Sequence, residues 1–285
     1  MCSSDLAATI YGTLSVRQFH DLDLLVEPEA MPRALSLLHA EAYVAYLKGG
    51  DEALRPEQSA VRKDVVLVHR ERRIIVELHA RLNDNADLLP VATLGAPCAV
   101  EVGGGVTLPA LSGQPLLVYL IVHGFRHGWS RLKWLIDVAV MIGAMSEAEI
   151  ADLLAAMRSH GLDMVGASTM LVLKDVVGLD LPPAIEQAAR RGRRARLCAS
   201  LAARYLYHER EPEGHLVLGI AMAGTMMLVS PTPRYRRTEV ARVLIDYPLA
   251  VRLGGGRTAI ALSVVLRPVL WSGRKLLHLA RASRQ

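Results

Sequence analysis

Cysteine is scarce and scattered. Cys2, Cys98 and Cys198 are the three in the sequence, and an odd number at such wide spacing argues against a disulfide framework and against a cysteine-rich zinc module. A reducing, cytoplasmic setting fits. Aromatic residues are also few, 5% of the chain with two phenylalanines, so Leu, Ala and Val must supply the core. Long apolar runs are missing as well. The most hydrophobic stretch, Leu216 to Val229, holds 14 residues, short of the roughly 20 that a bilayer-spanning helix needs, and it reads as a buried helix. No charged-then-apolar segment of the secretory kind opens the sequence, and no fixed-period repeat points to a solenoid.

What is present is enough apolar residue to fold. Of 285 residues 52% are hydrophobic and 21% charged, which excludes a disordered chain and allows one large or two ordinary domains. Two are expected. Charge divides unevenly: residues 1–111 hold 10 Lys/Arg against 15 Asp/Glu, and residues 112–285 hold 23 against 13. Such asymmetry suits an acidic metal site beside a basic surface facing phosphates, nucleic acid or lipid headgroups; arginines solvating helix surfaces would read the same way.

The first six residues, Met1-Cys2-Ser3-Ser4-Asp5-Leu6, resemble a translated sequencing-adapter tail read from a GTG start. They are expected to be a non-native leader, with the natural chain beginning near Ala7. From Phe19 to Val26 the run is strand-like and ends at Glu27-Pro28-Glu29. A helix is expected over Met31 to Tyr43, with Pro32 in its first turn. Asp64 to His69 and Arg73 to His79 read as a hairpin across Arg70-Glu71-Arg72. Between Asn83 and Pro115 the Gly- and Pro-rich composition reads as a connecting segment. Beyond it, helix-length apolar runs cover 116–127, 130–145, 147–160, 163–178, 183–207, 215–229, 237–253 and 257–281. The expected fold class is α+β: a small mixed sheet over 7–111, then an all-helical domain over 112–285, with the boundary near Ser112.

In a strand, residues two apart share a face, so Asp21 and Asp23 project side by side. Neighbouring like charges repel, and a divalent cation relieves them; oxygen-only ligation selects Mg²⁺ or Mn²⁺. Glu77, the one acid in the apolar run Ile74 to His79, is the third candidate ligand. Carboxylates so arranged can serve nucleotidyl transfer with two metals, although Asp-x-Asp also occurs at ordinary strand ends and Glu77 could instead pair with Arg73 or Arg81. His123 and His127 have a zinc-compatible spacing but lack a following Glu and a third ligand, which leaves helix packing or contact with a ligand. Lys133 and Asp137 are spaced for a surface pair. The run Arg190 to Arg196 has no interleaved aromatics and reads as a solvated face. The basic run Arg267 to Arg284 closes a helical bundle or rests peripherally on an anionic membrane.

Three blocks in order, Arg17-x-x-His20-Asp21-Leu22-Asp23-Leu24-Leu25-Val26, Glu77-Leu78-His79, and His123-x-x-x-His127-Gly128-Trp129-x-Arg131-Leu132-Lys133-Trp134-x-x-Asp137, resemble a bacterial nucleotidyltransferase family found beside polysaccharide and peptide-modification genes, a branch of the polymerase-β-like superfamily. The resemblance covers Ala7 to Gly143. It implies a metal-dependent enzyme moving a nucleoside monophosphate from a nucleoside triphosphate to a hydroxyl-bearing acceptor. Asp21, Asp23 and Glu77 would be catalytic and metal-binding, and Arg17, His127, Arg131, Lys133 and Asp137 would serve the nucleotide or acceptor. Trp129 and Trp134 are expected in the core between domains. Nucleic acid is not an expected partner. The family places a phosphate-binding turn ahead of its paired aspartates, and here that position falls at or before Met1, so a truncated and impaired chain is expected. The alternative is a non-catalytic binding protein of a modification cluster.

Overall fold

Leu22 and Leu24 on one strand, Val65 and Leu67 on another, and Val76 and Leu78 on a third all turn to one side of a sheet, because strand side chains alternate. In a computed structural model of the chain, residues 21–46, 63–103, 105–206, 216–230, 232–245, 249–250, 253–254 and 258–266 are described. They divide into two compact units, one drawn from 18–90 and 240–285 and the other from 91–239. The suspected leader, Arg17 and the basic run from Arg267 lie outside the described residues.

Over residues 21–90 the first unit is a four-stranded mixed sheet with one α-helix on it, and its described residues from 240 onward are mostly helical. Strand β1 (Leu22–Leu25) leads to helix α1 (Met31–Ala40), then β2 (Tyr43–Ala45), β3 (Asp64–His69) and β4 (Ile74–His79), in the spatial order β1-β4-β3-β2. β1 runs parallel to β4, while β3 is antiparallel to both β4 and β2. Met31 and Leu35 of α1 join Ala45, Val65, Leu67, Val76 and Leu78 in the core. Asp23, Glu77 and His79 lie on the opposite face of β1 and β4, together with Leu25 and Ile75.

Helix α1 stops three residues short of the sequence expectation. Ala42 takes a left-handed conformation at φ 64°, and Glu41 N–H folds back to Leu37 and Leu38 carbonyls. Tyr43 then pairs in β2 opposite His69, meeting its ring edge-on with centroids 5.2 Å apart. The edge of β3 outweighs the helical spacing there.

The second unit begins with a hairpin, β5 (Cys98–Gly103) and β6 (Val106–Ala110), paired across the triple glycine. The Gly- and Pro-rich composition of Asn83 to Pro115 predicts only a connecting segment here. Thr107, Leu108 and Pro109 of β6 are exposed, so no alternation of buried residues marks the strand. Helices follow: α2 (Gly113–Arg126), α3 (Leu132–Gly143), α4 (Glu147–Ser159), α5 (Asp163–Val172) continuing as a π turn over Leu173–Val177, α6 (Pro183–Arg191), α7 (Arg193–Leu206), α8 (Leu216–Val229) and α9 (Pro233–Leu244). The expected helix over 183–207 is broken at Gly192, and α9 starts at its proline rather than at 237. Among the described residues no strand follows Ala110, so the fold is α+β.

The turn after α2 is closed by Trp129, which is wholly buried. Gly128 and Trp129 are both left-handed, at φ 60° and 57°, and Trp129 N–H returns to the Gly124 carbonyl at 2.8 Å. The indole lies on Gly124, where any Cβ would overlap ring carbons. Gly124→Ala is therefore expected to destabilise the protein by about 1–3 kcal/mol or more through overpacking, measured as a lower urea midpoint. An unchanged midpoint would show that the ring yields.

Candidate active site

β1 and β4 pair in register: Leu22 stands opposite Val76, Asp23 opposite Glu77, Leu24 opposite Leu78 and Leu25 opposite His79. Parallel strands in register put like positions on the same face, so Asp23 and Glu77 become neighbours. His79, two residues beyond Glu77, joins them on that face. The pairing is prolonged by Val26 N–H donating to the His79 carbonyl at 2.8 Å, which ties the last residue of β4 to the end of β1.

Ligand atoms of Asp23, Glu77 and His79 all lie within 4.8 Å of one another. The His79 Nε2–H donates to Asp23 Oδ1 at 3.0 Å and stands 3.4 Å from Glu77 Oε2. Behind the ring, Lys63 Nζ is 3.5 Å from Nδ1 and 3.2 Å from Asp64 Oδ2. His79 is buried while the carboxylates are half-buried. Burial alone would pull the imidazole pKa down, and Lys63 adds to that; the bonds to Asp23 and Glu77 and the Asp23 charge outweigh both, so it is raised. The donor chemistry suits a divalent cation. Two carboxylates share one face with an imidazole between them, and carboxylate oxygens are the ligands such cations favour.

Residues 5–178, more than half of the sequence, match the family described as uncharacterised nucleotidyltransferase. The chain belongs to that nucleotidyltransferase family. No curated protein and no solved structure matches it. Membership makes the chain a transferase of nucleotidyl groups with a nucleotide as substrate. No helix among the described residues is long and apolar enough to cross a membrane.

Of the three carboxylates the sequence singles out, the structure brings Asp23 and Glu77 together. Asp21 is half-buried immediately before β1 and is not one of the residues in the close group. Glu77 is tied to His79 rather than to Arg73 or Arg81. His79 is the member that sequence reasoning did not assign, although it closes the Glu77-Leu78-His79 block and shares Glu77's face by strand alternation.

The other block lies within the helical unit. His123 is on α2, His127 caps it, Arg131 caps the start of α3, and Lys133 and Asp137 are on α3. The His123 and His127 rings are 4.7 Å apart, and both pack on Trp134 at 4.8 and 5.2 Å. Arg131 lies over the same indole at 5.9 Å. Asp137 is buried at 1% exposure. No third ligand joins the two histidines among the described residues. Trp129 belongs to the core of this unit against Gly124. In the arginine run, Arg190 is paired with Asp175 and Glu186, both at 2.8 Å.

A pKa higher in the folded than in the unfolded chain means that the folded state binds the proton more tightly. The contribution is complete below the unfolded value of about 6.5 and is lost as pH rises through the raised folded value. With divalent cations chelated, the stability lost on His79→Gln is thus expected to be largest in mildly acid buffer and to shrink as pH rises. Urea melts of parent and variant across that range check it; a difference that grows with pH contradicts the arrangement.

Proposed function

We propose that this chain is a metal-dependent nucleotidyltransferase that moves a nucleoside monophosphate from a nucleoside triphosphate to a hydroxyl-bearing acceptor. The observation that supports the reading best is the in-register pairing of Asp23 with Glu77 on one sheet face, in a chain of this family. Asp21, two residues before Asp23 and immediately ahead of β1, is assigned as the third carboxylate on the strength of the Asp-x-Asp spacing. In the reaction the acceptor hydroxyl gives up its proton to a carboxylate or water, its oxygen bonds to the α-phosphorus, the bond from that phosphorus to the α–β bridging oxygen breaks, and pyrophosphate leaves.

Mg²⁺ or Mn²⁺ held by these carboxylates, in a two-metal arrangement, would supply Lewis acidity at the acceptor hydroxyl and charge neutralisation at the departing pyrophosphate. The chain's own part is to orient. The sheet fixes the carboxylates on strands rather than loops, which limits the reorganisation needed when substrate arrives. Arg17, His127, Arg131, Lys133 and Asp137 are assigned to nucleotide or acceptor binding on the strength of the sequence blocks that contain them. A cytoplasmic location, where triphosphates and Mg²⁺ are plentiful, belongs to the same proposal.

The test is transfer of label from α-³²P nucleoside triphosphates to pools of sugars, small metabolites and proteins, with Mg²⁺ or Mn²⁺ added. Asp23→Asn and Glu77→Gln should each reduce transfer to background while the thermal melts stay cooperative. Arg131→Ala should raise KM for the triphosphate more than it lowers kcat. Tight nucleotide binding without transfer to any pool would instead identify a binding module; variants that transfer as well as the parent would remove the carboxylates from the mechanism.

A further inference from the structure

The transfer just described gives His79 no task, yet His79 is the most buried side chain of the group, at 8% exposure. Its Nε2 stands between the two carboxylates, 3.0 Å from Asp23 Oδ1 and 3.4 Å from Glu77 Oε2. A carboxylate can accept a hydrogen bond on one oxygen and ligate a cation with the other. One imidazole N–H reaching both residues therefore engages one oxygen of each and holds the two carboxyl groups side by side.

The far side of the ring decides between two roles for His79. Lys63 Nζ lies 3.5 Å from Nδ1 and is itself held by Asp64. An ammonium group has donors only. It therefore donates to the Nδ1 lone pair, which in the neutral ring puts the proton on Nε2. Histidines that ligate metals show the reverse arrangement, in which the nitrogen away from the metal gives its N–H to a carboxylate, a carbonyl or water.

We propose that His79 is a positioning residue and not a cation ligand. Lys63 sets its tautomer, and its Nε2–H holds the Asp23 and Glu77 carboxyl groups together as a pair for the divalent cation. This rests on the metal-dependent reading above. It also explains why a histidine sits among carboxylates expected to take Mg²⁺, a cation that favours oxygen ligands.

The test uses the full chain and Mn²⁺. Binding is followed by the loss of the free-ion EPR signal, and pulsed EPR of the bound ion reports directly coordinated nitrogen. The parent should bind Mn²⁺ without the coupling of a directly bound histidine ¹⁴N. His79→Gln, whose amide N–H can reach the same oxygens, should keep most of the affinity. His79→Phe should weaken binding by about 10–100-fold, with melts confirming that both variants fold. Direct ¹⁴N coupling that disappears in His79→Gln would make His79 a ligand and overturn the proposal, as would a Phe variant that binds as tightly as the parent. A parent that binds no Mn²⁺, with Asp23→Asn indistinguishable from it, would defeat the metal-dependent reading first and the positioning role with it.

Discussion

The register of β1 on β4 is the constraint on which the candidate site depends. Pairing Asp23 with Glu77 also pairs Leu22 with Val76 and Leu24 with Leu78, so the contacts that build the core beneath α1 align the charges on the far face. A slip of one residue would reverse both faces. It would bring Asp23 toward Leu35 and Leu67, where an unpaired carboxylate is costly, and turn Leu22 and Leu24 outward. The apolar face thereby enforces the polar one, and the acids act against mispaired strands.

The charges that the sheet gathers must be tolerated when no cation is bound. His79 and Lys63 provide that tolerance from inside the unit: an N–H between the carboxylates, with a positive group behind it. Hydrogen bonds to ionised acceptors are among the stronger ones available to a protein. The site can be assembled during folding without a metal, since the group between the acids is already part of β4.

Much of this was legible in the residues. The alternation in Asp21-Leu22-Asp23-Leu24 and in Ile74-Ile75-Val76-Glu77-Leu78-His79 marks two strands and the side on which their acids project, and the helical runs after Ser112 emerge close to where their spacing places them. Three features were not legible for separable reasons. β2 follows from the availability of β3's edge, a tertiary fact invisible in Tyr43-Val44-Ala45. The β5–β6 hairpin carries little buried apolar surface, and its short alternations, Val100-Glu101-Val102 and Val106-Thr107-Leu108, are submerged in Gly- and Pro-rich surroundings. A histidine at a strand end has no distinctive pattern, and the place of His79 in the site comes from Asp23, 56 positions away in sequence.

The packing of Trp129 on Gly124 links two positions in a way that reaches beyond stability. Any side chain at 124 must displace the indole, and a smaller residue at 129 would leave a void where the ring had been. Neither position can drift alone, so descendants of this sequence are expected to retain both residues or exchange both. The turn joining α2 to α3 would then be inherited as a unit, carrying His127 and Arg131 in fixed relation to Trp134 through whatever changes the surrounding helices accumulate.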